Sequence, residues 1–105
     1  MTKEEIIEGN KLIDEFNEFY LKNLGFSDTE LNYNTSWDCL MPVVEKINNL
    51  NSKYEINIYS LVVTLFSYSP GETKAKFDNS KFTKIIAVWL TVIEFIKWYN
   101  SCKKE

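Results

Sequence analysis

The 105-residue chain contains no histidine and no arginine. Histidine is the common general base, proton shuttle and metal ligand near neutral pH, and arginine is the planar fork that grips phosphate and carboxylate. Their joint absence removes most familiar catalytic and nucleic-acid-binding constellations, and all twelve basic residues are lysine. Cysteine is scarce as well: Cys39 and Cys102 are far apart in a chain without histidine, which excludes a structural zinc site. The glycines Gly9, Gly25 and Gly71 are isolated and make no phosphate-cradling loop. No apolar run approaches the ~20 residues that span a bilayer, and Met1-Thr2-Lys3-Glu4-Glu5 opens the chain without a leader-like apolar segment. The expectation is a cytoplasmic protein with free thiols, no metal, no cofactor and no membrane association.

What is present is apolar and aromatic mass. Hydrophobic residues make up 45% of the chain and aromatic residues 15%, too much for a disordered segment. A chain of this length holds one core, so residues 1–105 are expected to form a single domain. The net charge of -3 conceals a polarity. Residues 1–50 carry ten acids against four lysines, and residues 51–105 carry five acids against eight lysines. The acidic half disfavours phosphate backbones, so no direct nucleic-acid binding is expected, and it suits a basic protein surface.

The first helix is predicted from Thr2 and Glu5, at capping-box spacing, with Ile6, Ile7, Leu12, Ile13, Phe16, Phe19 and Tyr20 following at three- and four-residue intervals. It should run about twenty residues and close at Gly25, with Phe26 folding back. A loop is expected over 27–35. A second helix starts at Ser36 and carries Trp37, Leu40, Val44 and Ile47 inward, kinked at Pro42, and stops in the polar patch Asn48, Asn49, Asn51, Ser52. From Tyr54 to Ser69 the period shortens to two, placing Tyr54, Ile56, Ile58, Val62, Phe66 and Tyr68 on one strand face with a break near 59–61. Pro70-Gly71 turns the chain into a short partner strand, 73–77, giving one hairpin or two that share a strand. Asp78, Asn79 and Ser80 offer caps for a final helix from Phe82 to about Cys102.

Candidate functional residues lie on the outer faces. Glu4, Glu8, Glu15 and Glu18 share a stripe with Lys11, which is placed to pair with Glu8 and Glu15; a solvated face with intrahelical ion pairs fits better than a metal site. Cys39, among Trp37, Leu40 and Met41, is expected to be an inert thiol. Trp37, Trp89, Tyr54, Tyr59 and Tyr68 have core-like spacing, whereas Trp98 and Tyr99, near the chain end, are expected as an exposed contact pair. Between Ile85 and Tyr99 only Thr91, Glu94 and Lys97 are polar, so a second copy or a partner is expected to cover part of that helix near Leu90 or at Trp98-Tyr99.

Three segments, EEIIEGNKLI at 4–13, SWDCLMPVVEKI at 36–47 and VIEFIKWYN at 92–100, resemble a group of small phage- and prophage-encoded proteins whose chemistry is unassigned. The resemblance implies a mobile-element origin, a bacterial host cell and a compact α+β fold, and it transfers no active site. The expected architecture is α+β: two N-terminal helices, a small antiparallel β-hairpin sheet, and a long C-terminal helix packed on one face. The expected role is non-enzymatic: an accessory protein that binds a host protein, with a CRISPR effector or other defence protein as the target class, in the manner of an anti-CRISPR inhibitor. Partner-binding candidates are Glu4, Glu8, Glu15, Glu18, Trp98 and Tyr99, and a homodimer is possible. The alternative is a small-ligand binder that sequesters a signalling nucleotide.

Overall fold

The computed structural model describes residues 1–50, 54–68 and 71–103, with side chains described as far as Ser101. The expected helix stop at Asn51 and Ser52, the Ser69–Pro70 part of the turn and the thiol of Cys102 lie outside the described residues. The order is α1 (Lys3–Phe16), α2 (Tyr20–Asn23), α3 (Trp37–Leu50), β1 (Tyr54–Ile58), β2 (Val62–Ser67), β3 (Glu72–Asp78) and α4 (Lys84–Lys103). This is the α+β arrangement the sequence predicts.

The capping box forms: the Glu5 amide donates to the Thr2 hydroxyl at 3.1 Å, and the Thr2 amide donates to the Glu5 carboxylate at 3.1 Å. The expected twenty-residue helix, however, is two helices. After Phe16 the chain turns at Glu18 and Phe19, both at φ +59°, a left-handed conformation that costs side-chain-bearing residues about 1–2 kcal/mol each. Tertiary hydrogen bonds offset the cost. The Asp14 carboxylate, fully buried, accepts from the Leu21 amide at 3.0 Å and the Lys22 amide at 3.4 Å, satisfying donors at the start of α2. Gly25, at φ +102°, then closes α2, with its amide on the Lys22 carbonyl and the Phe26 amide on the Leu21 carbonyl, both at 3.0 Å. That is the Schellman pairing, and it places Phe26 back over the turn.

In α3, Ser36 caps the helix through its hydroxyl to the Cys39 amide, 3.3 Å, and the helix continues past Pro42 to Leu50. Leu40, Val43, Val44 and Ile47 face the core. Trp37 does not: it is 40% exposed, because at 100° per residue it falls at the margin of the stripe that Leu40, Val43, Val44 and Ile47 make. The expectation of a core anchor there is corrected.

The sheet is a three-stranded antiparallel meander, β1-β2-β3. Ile56 pairs with Leu65 and Ile58 with Val63, so the break at 59–61 is a hairpin turn, closed by the Tyr59 amide on the Val62 carbonyl at 2.9 Å. The turn inverts the phase of β2. Val63, Leu65 and Ser67 are buried, whereas Val62, Phe66 and Tyr68, expected on the face of Ile56, lie on the opposite one. Asn48 of α3 brackets the β1 edge, accepting from the Ile56 amide at 2.8 Å and donating to its carbonyl at 3.4 Å; an edge strand engaged in this way is closed to further pairing. Residues 78–80 form a turn rather than a cap, with the Ser80 amide on the Asp78 carboxylate, and Thr83 caps α4 through the Ile86 amide at 3.4 Å.

Helix α4 runs between α1, α3 and the sheet. Ala87, Val88, Trp89, Thr91, Val92, Ile93, Phe95 and Ile96 are all buried, and Thr91 satisfies its hydroxyl on the Ala87 carbonyl at 2.8 Å. The rest of the chain therefore covers most of the helix, while Leu90, Trp98 and Tyr99, where a second copy or a partner is expected, are half-buried.

Candidate protein-interaction face

Helix α1 carries its charge outward. Glu4, Glu8, Lys11 and Glu15 are exposed on one stripe, and Glu18, also exposed, falls past the helix end on the strained turn. Lys11 pairs with Glu8 at 3.5 Å; the pairing expected with Glu15 is not formed, leaving Glu15 and Glu18 without an ion pair among the described residues. Glu5 is held below its ordinary carboxylate range by the backbone and side-chain hydrogen bonds of Thr2, so the first turn stays negative where the helix dipole favours it.

Two hollows follow the seam between α1 and α4. The first, of about 410 Å³, has walls of Leu12, Trp89, Leu90 and Ile93, with Glu5 and Glu8 on the α1 rim and Lys97 on the α4 rim. Gly9 sets the helix separation there: a Cβ at this position would stand 2.3 Å from Cζ2 of Trp89 and 2.8 Å from Cδ1 of Ile93. The second, of about 310 Å³, gathers Glu15, Phe16, Glu18, Lys46, Leu50 and Tyr99. Lys46 lies over the Phe16 ring, 5.1 Å from its centroid, and donates to the Phe16 carbonyl at 3.2 Å.

The structure thus brings Glu15, Glu18 and Tyr99 together and sets Glu8 at the neighbouring hollow, with Glu4 on the same stripe. Trp98 is elsewhere. One residue apart on a helix, Trp98 and Tyr99 point about 100° apart: Tyr99 packs edge-on to Phe16 at 5.7 Å and stacks on Phe95 at 5.8 Å, while Trp98 lies over Tyr54 at 4.1 Å on the sheet side. Both are half-buried, which corrects the expectation of an exposed aromatic pair. Cys39 is a free, half-buried thiol packed against the core.

Sequence reasoning missed the buried polar network beneath this face. Asn10 accepts from the Trp89 indole at 2.8 Å and donates to the Leu31 carbonyl at 2.8 Å and to Asn34 at 2.9 Å. Asp14 accepts from the Tyr33 hydroxyl at 2.7 Å, and Asn17 donates to that hydroxyl at 3.2 Å. Burial, reinforced by the bond to Asp14, pushes the Tyr33 phenol well above its ordinary value. These bonds pin the 26–36 loop to α1 and α4. A signal existed: Asn10 and Asp14 occupy the same helical phase as Ile6 and Ile13, where a polar residue must find partners. Also missed was the corner of Phe19 and Tyr20, which are 46% and 54% exposed although the sequence periodicity places them on the core face.

Among the described residues no group of three or more acids or cysteines is placed to hold a metal ion, and no helix is long and apolar enough to cross a membrane. Comparison with protein-family models, with curated proteins and with solved structures finds no match for the chain.

Proposed function

We propose that the chain is a non-enzymatic accessory protein of phage or prophage type that acts in the bacterial cytoplasm by binding a host protein through the α1 face, with a defence machine such as a CRISPR nuclease as its target class. The observation that carries this reading is the exposed stripe Glu4, Glu8, Glu15 with Glu18 beside it, lying along one hollow walled by Leu12, Trp89, Leu90 and Ile93 and a second, mixed one where Phe16, Leu50 and Tyr99 meet Glu15, Glu18 and Lys46. Protein interfaces combine such features: apolar depressions supply desolvated contact, and a charged rim steers a complementary partner. The lack of histidine and arginine and the resemblance of three segments to phage proteins point the same way. Sequestration of a signalling nucleotide has less support, since the carboxylates Glu5, Glu8, Glu15 and Glu18 outnumber Lys46 and Lys97 around the hollows and repel phosphate.

Affinity purification of the tagged chain from a bacterial host, followed by mass spectrometry of protein and of small molecules released on denaturation, tests the reading. One dominant host protein, lost at high salt because the contact is electrostatic, is the expected result. A nucleotide released in stoichiometric amount with no host protein would transfer support to the alternative.

A further inference from the structure

Glu18 and Phe19 stand side by side at φ +59°, in the region where glycine is the usual occupant. The fold gives a reason for the bend, because it brings the Leu21 and Lys22 amides onto the buried Asp14 carboxylate. It gives none for the residue types. Glycine would meet the backbone requirement with less strain, and a phenylalanine that is 46% exposed serves the core little. Tyr20 and Leu24 beside it are more exposed still. The corner rests on a rigid base, since Asp14 is fixed by Tyr33 and Tyr33 by Asn17. A large aromatic group held outward on a strained but well-supported turn has the properties of an interface anchor: strain concentrates at functional positions, and aromatic side chains dominate binding hot spots.

We propose that Phe19 and Tyr20 are the anchor of the interface, inserting into an apolar pocket of the host protein whose rim carries lysine or arginine. This rests on the host-binding reading above and names the chemistry of the partner. Charge selects the occupant. Glu15 and Glu18 flank the anchor without an ion pair among the described residues: Lys22, with Nζ 6.0 Å from the Phe19 ring centroid, is held by Asp28 at 2.9 Å, and Lys46, which shares a hollow with both glutamates, donates to the Phe16 carbonyl at 3.2 Å. A second copy of the chain fits poorly, because it would bring two acidic corners together.

The test installs a photo-reactive benzophenone side chain at position 19, at position 8 on the stripe, and at position 61 on the remote β1–β2 turn as a control. After irradiation in the host cell the cross-linked peptides are identified, and capture of the same host protein is compared for wild type, Phe19→Gly and Phe19→Trp. Position 19 is expected to cross-link one host protein, within an apolar segment next to lysine or arginine. Phe19→Gly is expected to melt no lower than wild type, because glycine relieves the turn, yet to bind that protein about 30-fold or more weakly; Phe19→Trp keeps most of the affinity. Cross-linking from position 8 without position 19, a cross-link from 19 to another copy of the chain, or a Phe19→Gly protein that melts several degrees lower with unchanged capture would overturn the anchor and leave host binding standing. Cross-links from neither position overturn both.

Discussion

Helices α1 and α4 meet along one seam and are built on opposite plans. Helix α4 places apolar residues on nearly every side because α1, α3 and the sheet surround it, and its polar exceptions Glu94 and Lys97 mark the exposed strip. Helix α1 has one buried face, and that face is partly polar: Gly9, Asn10, Ile13 and Asp14 are all buried. The contrast shows how a small domain divides its work. α4 supplies area, while α1 supplies fit, through a glycine that lets the indole of Trp89 approach, an amide that satisfies that indole, and a carboxylate that organises the next turn. The outer face of α1 is thereby free of structural duty.

Removing Trp89 should do the greatest damage to this arrangement. Trp89→Ala is expected to cost about 3–5 kcal/mol, since it opens a core cavity and leaves Asn10 short of a donor; chemical denaturation would register it as loss of the folded state or a steep fall in the midpoint. Asp14→Ala tests whether a polar residue of α1 matters comparably. It strands the Leu21 and Lys22 amides and the Tyr33 hydroxyl, at an expected cost of about 2–3 kcal/mol, and a cost near zero would break the contrast between buried and exposed acids of the same helix.

Tyr33 sharpens the same point through pH. Its folded-state pKa is raised, first by burial and then by the bond to Asp14, so its stabilising contribution is complete below the unfolded value of about 10 and declines as pH rises above that value. Stability measured by denaturant between pH 9 and 12 should fall more steeply for wild type than for Tyr33→Phe; equal slopes would mean that the phenol is not held neutral by the fold. Trp37 marks the low end. Trp37→Ala should cost less than about 1 kcal/mol, as expected for a largely surface position, and a core-sized loss in the melting curve would restore the anchor role that its sequence spacing implies.

Local chemistry makes much of the fold legible in the amino-acid sequence. The Thr2–Glu5 box, the Gly25-Phe26 closure, the strand period after Tyr54 and the apolar run from Ile85 each act within a few residues, so sequence spacing displays them. The failures share a different cause. The interruption at Glu18-Phe19 depends on Asp14 reaching α2 and on Tyr33 arriving from a loop nineteen positions away, and no local preference encodes that. The strand face inverts because the 59–61 turn resets the period. Trp37 is partly exposed because it sits at the margin of the buried stripe of α3. At the candidate face, the glutamate stripe is visible from helical spacing, whereas the departure of Trp98 toward the sheet and the emergence of Phe19 and Tyr20 depend on the three-dimensional course of the chain.

Glu8→Lys combined with Glu15→Lys separates binding from folding on the outer face of α1. Both positions are exposed, and exposed charges contribute little to folding. Bacteria carrying an active RNA-guided nuclease would be challenged with a targeted phage while expressing wild type or the double variant, and the melting temperature of each purified protein would be recorded. Wild type is expected to restore phage plating, the double variant to lose that effect, and the two melting temperatures to lie within about 2 °C of each other. Equal restoration of plating by a double variant of unchanged stability would contradict the binding role of that face.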